Sequence, residues 1–484
     1  MGKFPTVIEH VVVLVLENRS FDHMLGYLGT PNGLTGTEFN LEDPAVPTST
    51  RVPVSNAAQY VGDLDVDPSH EVTHVNVQLF GVDPVPPTGG PHNIGFVLDY
   101  GRQPPKPVAP VARNIMKCFD PAKLPVLTTL AREFAVCDRW HSSVPGQTWP
   151  NRFFLHCATS GGFVDNTPRH YGMRTIYENL TGAGLTWTIY FHDFPQSLAL
   201  ANLTNSAFKS NFKFFPEFFN DLKNGSLPNY TFLEPRYFNF LGWKANDQHP
   251  PHDVQLGEHL IADVYTQLRA SALWEKSLFV VLYDEHGGIY DHVFPPDHVA
   301  NPDGKVSTTP PFDFTRLGLR VPAVIVSPYV ERGTVDSTTV YDHTSLLASV
   351  RDLFGLKTSL TKRDAQAKTF LGLLKLDKPP RPLANTPDDA ALNRPPHPEA
   401  TEFHQVAGAA TMTGDKVSAQ LEDGEDSDEE LSEFQQSLVE LAQTLDVPDD
   451  SARMRVLRLA RRIDDEHDAA VLVREVATRF VESE

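Results

Sequence analysis

Short hydrophobic runs along the chain predict the strands of a buried sheet. Ile8–Leu16 is almost continuously aliphatic, the pattern of a parallel strand covered on both faces. Leu278–Leu282 has the length and β-branched content of a second such strand. The same features predict strands at Ala135–Trp140, Gly184–Tyr190 and Arg320–Ser327, and helices at Leu124–Phe134, Phe153–Thr159, Gly257–Ala270 and Asp342–Leu353. Strands alternating with helices predict an α/β fold with a mostly parallel central sheet.

Polar residues follow the two most hydrophobic strands at the point where each one ends. Glu17 and Asn18 end the first strand, and Asp284, Glu285 and His286 end the second, ahead of a Gly-Gly turn. An α/β sheet places its active site at the carboxyl ends of its strands, and adjacent carboxylates repel each other unless a cation or proton lies between them. We therefore expect these oxygen donors to hold one cation. The alternatives are a solvated loop after the second strand and a helix cap at Asn18.

A hydroxyl residue precedes the predicted helix at Phe153–Thr159. Thr148 lies between Pro145-Gly146 and Pro150-Asn151-Arg152, where free backbone N–H groups and the positive end of the helix dipole are close. That position suits a nucleophile that binds a phosphate group. It also suits an ordinary N-cap, and the residues alone leave both interpretations open.

Charge and composition restrict the class of protein. The chain has 484 residues and a net charge of −21; from Asn385 onward there are 24 acidic and 9 basic residues. No basic patch or nucleic-acid motif occurs, so we expect no nucleic-acid partner. The three cysteines do not form a disulfide framework. No signal peptide is visible, so we expect a soluble protein that is cytoplasmic as given or exported by a non-standard route.

The composition changes after Leu374, and the change divides the chain. We expect a catalytic domain at residues 1–377, a Pro-rich and acidic linker at 378–430, and a helical appendage at 431–484. The appendage has helical spacing in three segments, at Leu431–Leu445, Ser451–Ile463 and Asp465–Phe480. It could mediate homo-oligomerisation. Because it carries none of the motifs, we expect it to be dispensable for chemistry.

Five motifs in order resemble one family, the bacterial phosphoesterases that include phosphatidylcholine-type (nonspecific) phospholipases C and the related acid phosphatases. The matching segments are Glu17–Asp22, His141–Arg152, Asn246–Pro251, Tyr283–Val293 and Asp342–Ser345. The resemblance covers residues 8 to about 354 and ends before the tail. It implies an alkaline-phosphatase-like fold with one metal-centred site.

The resemblance also implies roles for individual residues. The metal ligands are Glu17, Asn18, Asp284 and Glu285, together with Thr148, the nucleophile. Histidines of the family match His249, His292 and His343 as catalytic groups and His70 and His286 as substrate-binding groups. Asn18 is implied as a further substrate-binding group. The implied cofactor is one divalent ion, Ca, Mg, Mn or Zn.

The implied activity is metal-dependent hydrolysis of a phosphate ester through a phospho-threonine intermediate. Threonine at position 148 resembles the phospholipase C branch, since the phosphatase branch usually carries serine. The substrate would be a phosphate ester such as a phospholipid headgroup, which the protein would reach by transient contact with a membrane surface. The alternatives are an acid phosphatase of the same fold and a non-catalytic binding protein. A sulfatase or phosphoglycerate-mutase relative would need a second metal cluster or a formylglycine precursor, and the sequence indicates neither.

Overall fold

The protein is described by a computed structural model, which covers residues 7–46, 48–83, 93–107, 109–169, 171–239, 243–395, 431–445, 463 and 465–482. Most of the predicted linker, its acidic run and nearly all of the helix expected at Ser451–Ile463 lie outside these residues. The α/β class and the mostly parallel sheet are confirmed.

An eight-stranded sheet forms the centre of the molecule. Eight of the described strands form this sheet, and the other six form three two-stranded sheets. In chain order the strands are β1 (His10–Leu16), β2 (Phe39–Leu41), β3 (Arg51–Pro53), β4 (Ala135–Cys137), β5 (Trp140–His141), β6 (Trp187–Phe191), β7 (Phe212–Phe214), β8 (Tyr230–Glu234), β9 (Ser277–Tyr283), β10 (Ser307–Thr308), β11 (Pro311–Phe312), β12 (Ala323–Val326), β13 (Thr334–Asp336) and β14 (Tyr341–Asp342). The sheet has the order β13-β4-β12-β9-β1-β8-β6-β7, and only β12 runs antiparallel to its neighbours.

The two strands at the middle of the sheet are the ones that carry the acidic pairs. β1 and β9 are parallel neighbours, and their register pairs His10 with Ser277 through to Leu16 with Tyr283. Every residue of both strands is buried, which is why their sequences are apolar without alternation. The expectation that their carboxyl ends lie side by side is confirmed.

Helices flank the sheet. They are α1 (Phe21–Leu25), α2 (Val72–Phe80), α3 (Phe96–Tyr100), α4 (Ala109–Ala112), α5 (Pro125–Glu133), α6 (Thr148–Cys157), α7 (Ile176–Gly182), α8 (Pro216–Asn224), α9 (Val254–Ala270), α10 (His343–Phe354), α11 (Lys362–Gln366), α12 (Asp389–Leu392), α13 (Glu433–Thr444) and α14 (Glu466–Glu482). Among the described helices, none is both long and apolar enough to cross a membrane.

The C-terminal helices pack onto the same molecule. Phe434 of α13 lies edge-on to Tyr237 at 5.0 Å between ring centroids, and Phe480 of α14 meets Phe212 at 5.4 Å. Their apolar faces join the hydrophobic core that contains the central sheet. These faces are thus used within one chain; oligomerisation and the segment boundaries stay predictions.

Candidate active site

The ends of β1 and β9 are joined by hydrogen bonds. The Asn18 amide donates to Asp284 Oδ1 at 2.9 Å, and Glu17 and Asp284 both lie near one buried guanidinium, that of Arg152. Nε of Arg152 is 2.8 Å from Glu17 Oε1 and 3.9 Å from Asp284 Oδ2. The acidic groups from the two strand ends therefore form one cluster, although 267 positions separate Glu17 from Asp284.

The Gly-Gly turn after β9 has a steric reason. Gly287 has φ +62°, and a Cβ there would lie 2.2 Å from the Asn18 carbonyl oxygen. Gly288 has φ +66°, and its Cβ would lie 2.5 Å from the carbonyl oxygen of Ser69. The turn thus lets the loop after β9 press against the loop after β1 and against the segment that carries His70.

Thr148 is the first residue of α6, and the N-cap is Gln147. The Thr148 hydroxyl lies 3.4 Å from Glu17 Oε2 and 3.3 Å from Asn18 Oδ1. The N-cap interpretation of Thr148 is therefore wrong, because its hydroxyl faces the acidic cluster. The Trp149 amide is already used, since it donates to Asn166 Oδ1 at 2.8 Å.

The cluster fits a cation. Asp284 Oδ2 and Glu285 Oε1 are buried and have no hydrogen-bond partner among the described residues. Burial raises the pKa of Glu17 well above its usual value and that of Asp284 to about 6. Buried carboxylates with spare oxygens need positive charge to remain ionised, and Arg152 supplies one such charge beside Glu17 and Asp284. Carboxylate, amide and hydroxyl oxygens are the donors that hard divalent ions prefer.

Two histidines have a free nitrogen beside this cluster. Nε2 of His70 and Nε2 of His249 are buried without a hydrogen-bond partner among the described residues. Burial lowers the pKa of His249 well below its usual value, whereas for His70 burial is outweighed by Glu285 and Asp67, which raise its pKa to about 10. Asp67 Oδ2 lies 3.9 Å from His249 Nε2. The pair thus offers one cationic and one neutral imidazole.

The other predicted histidines have partners elsewhere. Nε2 of His343 lies 2.5 Å from the Asp284 carbonyl oxygen, and its Nδ1 accepts from Trp140 Nε1 at 3.4 Å. Nε2 of His286 lies 2.8 Å from Gln78 Oε1, and its Nδ1 lies 3.2 Å from Glu285 Oε2. These contacts orient the loop that carries Asp284 and Glu285.

His292 belongs to a different cluster. Asp22, Asp291 and His292 each offer an atom within 4.8 Å of the others, as in a metal site. However, Arg320 lies among them and donates to Asp22 Oδ1 at 2.7 Å and to Asp291 Oδ1 at 2.9 Å, with His292 Nδ1 2.7 Å from Asp22 Oδ2. Arg320 thus binds both carboxylates, whereas Asp284 Oδ2 and Glu285 Oε1 have no partner among the described residues, so the acidic cluster at Glu17 is the better cation site.

Sequence reasoning missed several residues of the site. Arg152 stood inside a recognised motif without a role, although it follows Thr148 by four positions and so lies on the same face of α6. Asp67 precedes His70 by only three positions in the sequence and could have been grouped with it. Nothing in the sequence connects Gln147 or Glu433 with the site, because their contact joins residues 286 positions apart.

Comparison with known proteins gives consistent matches. The sequence matches the Phosphoesterase family over residues 8–357. Non-specific phospholipase C3 of Arabidopsis thaliana is 38% identical over 500 aligned positions, covering 99% of this chain and 90% of that protein. Phospholipase C B of Mycobacterium tuberculosis is 29% identical over 470 positions, covering 84% and 85%.

The plant match covers the tail as well, so the likeness extends beyond the point where the motifs end. Among solved structures, a protein of the alkaline phosphatase superfamily from Vibrio parahaemolyticus is similar at 11% identity over 78% of this chain and 73% of that chain, with a TM-score of 0.36. At that TM-score the likeness is distant.

Proposed function

The chain belongs to the Phosphoesterase family, whose members hydrolyse phosphate esters, and from that premise we propose that it is a metal-dependent phosphodiesterase of the phospholipase C type that uses Thr148 as its nucleophile. The observation that carries the proposal is the position of the Thr148 hydroxyl, 3.4 Å from Glu17 Oε2 and 3.3 Å from Asn18 Oδ1 at the first residue of α6.

The metal ligands in this proposal are Glu17, Asn18, Thr148, Asp284 and Glu285. The spare, buried oxygens of Asp284 and Glu285 support it, and an all-oxygen donor set favours Ca, Mg or Mn over Zn. A divalent ion bound there would lower the pKa of the Thr148 hydroxyl and offset negative charge on the phosphate.

The chain's own residues account for the remaining steps. Thr148 Oγ1 bonds to phosphorus while the bond from phosphorus to the leaving alcohol oxygen breaks, which gives phospho-threonine and an alcohol. Asn18 Nδ2 and His70 Nε2, both buried and unpartnered, donate to the phosphate oxygens. His249, held neutral by burial, gains the proton of Thr148 and passes it to the leaving alcohol. In the second step it takes a proton from the water that attacks phosphorus and returns that proton to Thr148 Oγ1 as the bond from phosphorus to Oγ1 breaks.

The substrate in this proposal is a phosphodiester such as a phospholipid, which would require transient contact with a lipid surface. Two observations support a diester over a monoester: the relatives at 37–41% identity are named non-specific phospholipases C, and position 148 is threonine. His292 and His343 stay candidates for indirect roles, since His292 Nδ1 is engaged by Asp22 and His343 Nε2 by the Asp284 carbonyl oxygen.

Hydrolysis of p-nitrophenyl phosphorylcholine and of p-nitrophenyl phosphate, each with and without chelator, tests the proposal. We expect the diester to be cleaved faster, and chelator to abolish cleavage until divalent metal is restored. Faster cleavage of the monoester would support the acid phosphatase alternative. Absence of cleavage of both compounds under every metal would support a non-catalytic binding protein.

A further inference from the structure

The first turn of α13 touches the active site through three consecutive residues. Glu433 Oε1 accepts a hydrogen bond from Gln147 Nε2, Phe434 lies against Tyr237 and His249, and Gln435 donates to the Tyr237 carbonyl oxygen at 2.7 Å. Phe434 and Gln435 are both buried. This segment comes from the tail, which carries none of the sequence motifs.

The hydrogen bond between Glu433 and Gln147 connects the start of α13 to the start of α6. Gln147 is the N-cap of that helix, and its Oε1 accepts from the Asn166 amide at 3.0 Å. Asn166 in turn accepts from the Trp149 amide at 2.8 Å. Thr148 therefore lies between two residues that both hydrogen-bond to Asn166. Glu433 extends this series of hydrogen bonds by accepting from Gln147.

Phe434 and Gln435 lead to the metal ligands by a second route. They fix Tyr237, whose ring lies 5.6 Å from the guanidinium carbon of Arg152, and Arg152 donates to Glu17 Oε1 at 2.8 Å. Gln435 also donates to Glu466 Oε1 of α14 at 2.8 Å, so the two tail helices are joined at this point. The phenyl ring of Phe434 lies nearly parallel to the His249 ring, with 6.4 Å between centroids.

We propose that the first turn of α13, Ser432–Gln435, is a built part of the active site, and that Glu433 is a positioning residue that fixes the start of α6 through Gln147. The inference rests on the proposed function, because it concerns the placement of Thr148 as a nucleophile. The proposal contradicts the prediction from the sequence that the tail is dispensable for chemistry. Glu433 keeps an exposed surface, whereas its neighbours Phe434 and Gln435 are buried, so a substitution at position 433 leaves the hydrophobic core intact.

Three variants of the full chain test the role of Glu433 with p-nitrophenyl phosphorylcholine. Glu433→Ala should lower kcat by about 10- to 100-fold with little change in KM, because small misplacements of reacting groups cost rate in this range. Glu433→Gln should stay within about 3-fold of the wild type, since its amide oxygen can still accept from Gln147. Glu440→Ala, which removes an exposed carboxylate on the same helix, is the matched control and should not change kcat.

A double-mutant cycle separates positioning from general damage. If Glu433 acts through Gln147, then Gln147→Ala combined with Glu433→Ala should be no slower than the slower single variant. Three results would each overturn the inference. The losses of kcat in the two single variants could multiply in the double variant, or Glu433→Ala and Glu433→Gln could lose kcat equally. The kcat of Glu433→Ala could also lie close to that of Glu440→Ala. If the wild type is active and the variants give one of these results, only the role of Glu433 is disproved. If the wild type cleaves no phosphate ester, the proposed function itself is disproved.

Discussion

At the scale of single residues, the proposed chemistry depends on the hydroxyl of Thr148. It occupies the first position of α6 but caps nothing, so the stabilising role and the proposed chemical role of this side chain are separate. Alanine is the best helix former, and the Gln147 cap is untouched by a substitution at position 148.

We therefore expect Thr148→Ala to fold with a free energy of unfolding within about 1 kcal/mol of the wild type. It should bind metal but lose roughly 1,000-fold or more in kcat, since each tenfold is about 1.4 kcal/mol of activation free energy. Thr148→Ser keeps the hydroxyl and should retain substantial activity. Steady-state kinetics together with denaturant unfolding measure both quantities. Near wild-type turnover by the alanine variant would mean that water attacks phosphorus directly.

At the scale of elements, the loop after β9 packs closely against the loop after β1, and glycine at position 287 makes this close packing possible. Gly287 lacks the Cβ that would lie 2.2 Å from the Asn18 carbonyl oxygen, and it has φ +62°. Gly304 also has a positive φ, +80°, but a Cβ there would meet nothing within 4 Å. The two glycines thus share backbone strain on substitution and differ in the steric clash.

This difference makes a matched pair of variants. Gly287→Ala should move Asn18 away from Asp284 and strongly weaken both metal binding, measured by calorimetry, and turnover. Gly304→Ala should cost about 1–2 kcal/mol of stability from the left-handed backbone alone and leave metal affinity unchanged. Equal metal affinity in the two variants would argue against close packing of the two loops as the reason for Gly287.

The sequence predicted the strands that are uniformly apolar, and its strand predictions failed where polar residues interrupt the apolar run. β1 and β9 are buried on both faces, so their apolar runs were recognised and their polar ends located the site. β8, at Tyr230–Glu234, was missed because Thr231 and Glu234 interrupt its pattern, yet both are buried; Glu234 accepts from Gln196 and Ser197. The expected strand Ala135–Trp140 is two strands, since Asp138 turns aside to pair with Asn32.

The histidines show the same limit at the site. Motifs identify them but do not say which partners their ring nitrogens find. His343 and His292 are held by the Asp284 carbonyl and by Asp22, contacts over 59 and 270 positions that no local pattern encodes.

At the scale of the whole molecule, several histidines in the interior are held neutral. Burial lowers the pKa of His156 to about 3, with a smaller contribution from Arg152, and it lowers that of His141 to about 3 as well. In the unfolded chain their pKa is near 6.5, so between about pH 6.5 and 3 the unfolded state binds more protons. Stability therefore falls as the pH falls through this window.

For His156 the loss between pH 7.5 and pH 5 should be about 2 kcal/mol, at about 1.4 kcal/mol for each pH unit below 6.5. His156→Gln, which can still accept from the Tyr177 hydroxyl, should show a correspondingly smaller fall in unfolding free energy between these pH values. His298→Gln, at a histidine whose side chain is 93% exposed, should show the wild-type fall. Urea unfolding at both pH values measures the difference; an unchanged fall in His156→Gln would mean that His156 is already protonated in the folded protein.

The seven residue pairs between β1 and β9 limit how this chain can change during evolution. Displacing one strand by a single residue would shift Asp284 by about 3.3 Å relative to Glu17 and turn each side chain to the opposite face of the sheet. Distances from oxygen to a divalent ion span only a few tenths of an ångström, from about 2.0 to 2.6 Å. An inserted or deleted codon within residues 10–18 or 277–285 would therefore separate these oxygens, whereas the connection between the strands can change length only where it carries no residue of the site, such as Thr148 or Arg152. Relatives of different length can keep the two acidic pairs side by side only if this register is kept.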